Sequence, residues 1–186
     1  MLKLCLLILF FFAAKINTVF SQPQQSNIQA FLHQPDKYVT SEVFDIGKVR
    51  DLTIQITKAK NLIDSKTLNG VRLSYKAINS SGKQFGYIDA DEIDALINAM
   101  EDMNANIFNK EPSSRPTDNF EYHYSCRSGL NIGGFSGFFS GTYGKMTWNQ
   151  YVMFSETSSD KIIISLANFN ELKSILSLAK EKMEAK

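Results

Sequence analysis

The sequence predicts an α+β fold, an internally duplicated β-β-β-β-α unit whose antiparallel sheet or sheets carry two packed helices. Three observations lead there. Apolar and polar residues alternate with period two through several segments. Residues 71–103 align without a gap on residues 150–182, an offset of 79 (150 − 71). Each copy then ends in a capped apolar stripe of helical spacing.

The chain opens as an export signal: Lys3 gives a positive start, Leu4 to Ala14 an apolar run, and Val19-Phe20-Ser21 a cleavage motif that places the cut between Ser21 and Gln22. Lys15 and Asn17 interrupt the apolar run well short of the roughly 18–20 residues a spanning helix needs. Cys5 stands at the beginning of that run, whereas a lipidated cysteine would stand at its end. The expectation is an extracytoplasmic product, secreted or periplasmic. Taking residues 1–21 from 186 leaves 165, enough for one domain with its own core. Losing Lys3 and Lys15 takes the 20 basic residues to 18 against 19 acidic ones, a net charge of −1. Such a balance gives no general attraction to nucleic acid or anionic lipid. Without Cys5, Cys126 is the lone cysteine and no disulfide can form within the chain.

Residues 22–37 are polar and glutamine-rich, with a short apolar patch at Ile28, Phe31 and Leu32, and suit either a mobile leader or one docked helical turn. The globular domain is expected over 38–186, in two halves of about 38–108 and 119–186. Strands are predicted near Val39–Ile46 and Val49–Lys58, where Leu52, Ile54 and Ile56 alternate with Thr53, Gln55 and Thr57. In the repeat, Leu73 and Tyr75 fall on Val152 and Phe154, and the strand Phe85–Tyr87 on Ile164–Leu166. Capping boxes are predicted at Asp89 with Glu92 and at Asn168 with Glu171. Behind them Ile93, Leu96, Ile97 and Met100 fall on Leu172, Ile175, Leu176 and Ala179. Pro112 and Pro116 mark the polar connection between halves, and strands at Phe120–Arg127 and Leu130–Phe139 open the second half. The last helix is expected to run on through the lysines from Lys180.

Candidate sites are few. On Phe120–Arg127, period two puts Phe120, Tyr122, Tyr124 and Cys126 on one face and Glu121, His123, Ser125 and Arg127 on the other. His123 and Cys126 therefore point apart, which argues against a thiol–imidazole pair, and Cys126 reads as a small core residue. The polar row, with His123 and Arg127, would bind an anion or sugar hydroxyls if it lined a groove. The glycine-rich segment Gly129–Gly144 holds six of the ten glycines, interleaved with Phe135, Phe138, Phe139 and Tyr143 and followed by Trp148 and Tyr151. It has neither phosphate-loop nor dinucleotide spacing. One reading is a flexible hairpin presenting aromatics to a ligand; the other is a bulged hairpin whose aromatics fold back on the core.

The acids Asp89, Asp91, Glu92 and Asp94 lack calcium-loop spacing, since Asp94 and Met100 stand where a glycine and a bidentate glutamate are needed. Two histidines and one mature cysteine supply a zinc site poorly. Neither metal nor cofactor is expected. Asn79-Ser80-Ser81 forms a glycosylation sequon. The reading is an exported, soluble, non-enzymatic binding domain whose partner is an extracytoplasmic glycan, peptide or envelope protein. The alternatives are a secreted hydrolase using Cys126 or a carboxylate with His123 as base, a structural envelope subunit, and a single-stranded nucleic-acid binder. The last rests on analogy alone: a twice-repeated four-strand-plus-helix order also occurs in whirly-type nucleic-acid binders, none of whose motifs appear here.

Overall fold

A computed structural model describes residues 25–76, 82–111, 120–138, 146–154 and 161–185. Strands β1 (Val39–Val49), β2 (Leu52–Asn61), β3 (Thr67–Tyr75) and β4 (Gln84–Asp89) form one antiparallel sheet in that order. Strands β5 (Glu121–Ser125), β6 (Asn131–Phe138), β7 (Met146–Met153) and β8 (Ile162–Ile164) form a second one with the same topology. A short helix α1 (Asn27–Leu32) precedes the first sheet, and helices α2 (Ile93–Met103) and α3 (Leu166–Glu184) close the two halves. The α+β class and the duplicated four-strand-plus-helix unit are both present. Among the described residues, no helix is long and apolar enough to cross a membrane.

The helices are exchanged between the halves. α2 packs on β5 and β6 of the second sheet, α3 packs mainly on β1, β2 and β3 of the first, and the two helices touch. One continuous core results, from Leu52, Ile54, Val71, Leu73 and Ile88 through Leu96 and Met100 to Ile132, Val152, Phe169 and Leu176. Turns reach across in the same reciprocal way. Arg50, in the β1–β2 turn with a left-handed φ of 51°, donates to the Ile163 carbonyl of edge strand β8 at 3.1 Å. Ser128, in the β5–β6 turn, accepts from the Tyr87 amide at 3.2 Å and donates to its carbonyl, closing part of edge strand β4. Two strand edges are thus covered by the opposite half, which limits pairing with other chains.

The repeat is not gapless, as the sequence alignment has it. The offset of 79 holds for β3 against β7, but the buried helix residues Ile93, Leu96, Met100 and Met103 correspond to Phe169, Leu172, Leu176 and Ala179, each 76 positions on (169 − 93). Strand register gives the cause: Leu73 pairs Gly86 while its counterpart Val152 pairs Ile162, so the second hairpin connection is three residues shorter. β8 accordingly ends at Ile164, and Leu166 opens α3.

The caps change with the offset. Ser165, the counterpart of Asp89 (165 − 89 = 76), is the N-cap of α3 and accepts from the Asn168 amide at 3.1 Å, in place of a box at Asn168 and Glu171. The first box is half formed. Glu92 accepts from the Asp89 amide at 3.1 Å, but the Asp89 carboxylate caps α1 instead, accepting from the Asn27 and Ile28 amides at 2.8 and 2.9 Å. The leader is therefore docked over residues 27–32, with Ile28 and Phe31 buried on the outer face of the first sheet.

Candidate functional site

The second sheet brings a compact set of polar and aromatic groups to its outer face. Register puts Glu121 beside Phe135 and Asn149, and His123 in a row with Gly133, Tyr151 and Ile163. The strands come unusually close there: a Cβ on Gly133 would lie 2.6 Å from the His123 Cα. No side chain fits at Gly133, and the residues on either side of it converge.

Tyr151, wholly buried, donates its hydroxyl to Oε1 of Glu121, and the Lys161 ammonium donates to the same oxygen at 2.8 Å. Lys161 also covers the rings of Tyr151 (4.6 Å) and Phe135 (5.1 Å), and the two rings are 6.2 Å apart. The His123 Nδ1 lies 4.0 Å from Glu121 Oε1. Burial pushes the Glu121 carboxyl up, but the hydrogen bonds from Lys161 and Tyr151, with the charges of Lys161 and His123, outweigh it and hold the group below its ordinary value. Burial, then the hydrogen bond to Glu121 and its charge, push the Tyr151 phenol up. At neutral pH Glu121 is therefore a carboxylate and Tyr151 a neutral phenol. Glu121 Oε2 accepts no hydrogen bond from any described residue, while the Glu121 and His123 side chains are 40% and 43% exposed. A carboxylate oxygen with spare acceptor capacity on a partly exposed side chain can accept hydroxyl or amine donors.

The sequence-predicted candidates do not gather at one place. Phe135, Tyr151 and His123 share this outer face. Trp148 points to the inner face, where its indole N–H donates to the Lys110 carbonyl at 2.8 Å and its ring packs on Phe108 and Tyr122, each 5.8 Å away. Arg127 lies past the end of β5, in the turn that follows Ser125. There it pairs with Asp91, with Asp89 at 3.4 Å and with Glu92 at 3.7 Å, three acids of the first half. Phe139 and Tyr143 lie outside the described residues, as do the Phe138 side chain, Asn79 and the whole of 1–21.

Glycines of the Gly129–Gly144 segment answer specific packing demands at two positions. Gly133 allows the close approach of β5 to β6, and Gly134 makes room for the Phe108 ring, whose Cζ would be 2.7 Å from a Cβ there. Phe108 belongs to a single π-helical turn, Asn104–Phe108, that extends α2.

Cys126 is buried among core residues and free. Burial first, and then the charges of Glu92 and Asp89, push its thiol far above the ordinary value, so it stays protonated. Sequence reasoning missed Lys161. It follows an undescribed connection and immediately precedes β8, where no periodic pattern marks it. Among the described residues no group of three or more His, Cys, Asp or Glu is placed to hold a metal ion. No protein-family model matches the sequence, and no curated protein matches it, so the site is read from its geometry.

Proposed function

We propose that this protein is an exported, non-enzymatic binding module that contacts an extracytoplasmic partner through the outer face of its second sheet. What carries the reading is the Glu121 carboxylate: Tyr151 and Lys161 fix one oxygen, and the other accepts from no described residue on a side chain that is 40% exposed. The arrangement holds the acceptor in place without spending its full hydrogen-bonding capacity, as a recognition site requires. Its balanced charge fits a glycan hydroxyl pair or a peptide amine better than a polyanion. The cysteine version of a hydrolase finds no support in a protonated, buried Cys126 whose nearest histidine in sequence, His123, lies on the opposite face of the strand.

The test is a native mass spectrum of the protein recovered from its own compartment, as wild type and as the Glu121→Gln/Phe135→Ala double variant. The reading expects a chain beginning at Gln22 and a retained ligand mass that the variant loses. A chain that keeps residues 1–21, or a ligand that the variant retains, counts against it.

A further inference from the structure

The three most exposed large apolar side chains among the described residues lie at one corner of the first sheet: Tyr38 (74%), Ile63 (68%) and Leu62 (57%). Leu62 and Ile63 begin the exposed turn between β2 and β3, and Tyr38 immediately precedes β1, its carbonyl accepting from the Leu62 amide at 2.8 Å. Exposed rings elsewhere on this sheet carry a cation over them, Lys58 over Phe44 and Arg72 over Phe85.

The turn has a fixed shape. The buried Asn61 side chain accepts from the Ile63 amide at 2.9 Å, Asp64 accepts from the Lys66 amide at 2.9 Å, and the Asn61 amide donates to the Lys66 carbonyl at 2.9 Å. The amides of Asn61, Leu62, Ile63 and Lys66 are therefore satisfied within the protein, which lowers the cost of carrying this backbone into an apolar phase. Charge at the corner departs from the even balance of the whole chain. Residues 36–38 and 58–66 hold Lys37, Lys58, Lys60 and Lys66 against Asp36 and Asp64, a local charge of +2 (4 − 2). None of these lysines is ion-paired to a described residue. Glu42 stands opposite Lys58 across the strand pair, which leaves Lys37, Lys60 and Lys66 around the apolar tip.

We propose that this corner docks on the surface of a lipid bilayer bearing anionic headgroups. Leu62 and Ile63 enter the acyl boundary, Tyr38 sits at headgroup level, and the lysines meet the phosphates. A projecting turn needs a preformed pocket in a protein partner, whereas a fluid bilayer admits each side chain separately.

The test is sedimentation of the protein with vesicles of phosphatidylcholine, alone or mixed with phosphatidylglycerol. Wild type is expected to sediment with the mixed vesicles. Leu62→Ser/Ile63→Ser is expected to bind them at least about tenfold more weakly, having lost two inserted aliphatic side chains. Lys60→Gln/Lys66→Gln is expected to lose about fivefold per lysine. Glu121→Gln/Phe135→Ala is expected to sediment as wild type does, which separates this surface from the second-sheet site. Wild type left in the supernatant, unchanged binding by either tip variant, or loss of binding in the second-sheet variant overturns the proposal. Fluorescence gives a second reading: brominated acyl chains are expected to quench part of the emission of Tyr38→Trp and none of that of wild type, whose one tryptophan is Trp148. Emission from Tyr38→Trp that is not quenched overturns it too.

Discussion

Arg127 and Asp89 join the two halves of the duplicated chain: the guanidinium of the second half lies 3.4 Å from a carboxylate of the first that is almost wholly buried. The same guanidinium hydrogen-bonds Asp91, and the Arg127 backbone amide donates to Glu92 at 2.7 Å. Asp89 meanwhile holds α1, so one carboxylate ties together the leader, the first half and the second. Arg127→Ala is expected to destabilise the fold by about 3 kcal/mol, because it leaves Asp89 and Glu92 as buried carboxylates without their cation. Urea unfolding of the two proteins measures it.

Asp89→Ala removes the cap of α1 and is expected to cost at least the ~1 kcal/mol of an N-cap deletion. Its signature is local: amide exchange at Asn27–Leu32 rises, while the β5–β7 amides keep most of their protection.

Gly134→Ala drives a methyl group into the Phe108 ring and is expected to cost about 1–3 kcal/mol as overpacking. Phe108→Leu in the same chain is expected to restore part of the loss. Additive effects in that double-mutant cycle would count against the contact.

The Cys126 thiol is expected to resist iodoacetamide in the folded protein and to react fully in denaturant, because burial and the neighbouring carboxylates keep it protonated. Peptide mass mapping reads the difference directly.

Much of the fold was legible in the sequence. The alternation at Leu52, Ile54 and Ile56 and the stripe at Ile93, Leu96 and Met100 are local signals, and both describe buried faces. What the sequence could not show is three-dimensional in origin. The three-residue shortening before β8 hides in polar connections that carry no period, so a gapless alignment carried the offset of 79 too far and paired Ile93 with Leu172 instead of Phe169. Asp89 has the spacing of a cap for α2, yet it caps a helix 61 residues away in sequence at Ile28, a long-range choice no local pattern records. The candidate site was legible in part: alternation puts Glu121 and His123 on one face, but only strand register brings Tyr151 to them, and only the folded chain brings the Lys161 side chain.

Acid is expected to loosen the outer-face cluster. Glu121 titrates below its ordinary value of 4.5 in the folded protein, so the stability it contributes is present above that value and is lost as pH falls through the folded value. The melting-temperature gap between wild type and Glu121→Gln is therefore expected to narrow on going from about pH 6 to about pH 3.

The most direct test of the central claim is a chemical-shift titration of the labelled protein against neutral glycans and short amine-bearing peptides. The account predicts saturable shifts gathered at Glu121, His123, Phe135 and Lys161, with the Trp148 indole N–H on the inner face unmoved. Saturable shifts centred on Arg127 or the inner face, or none at millimolar ligand across the panel, would contradict it.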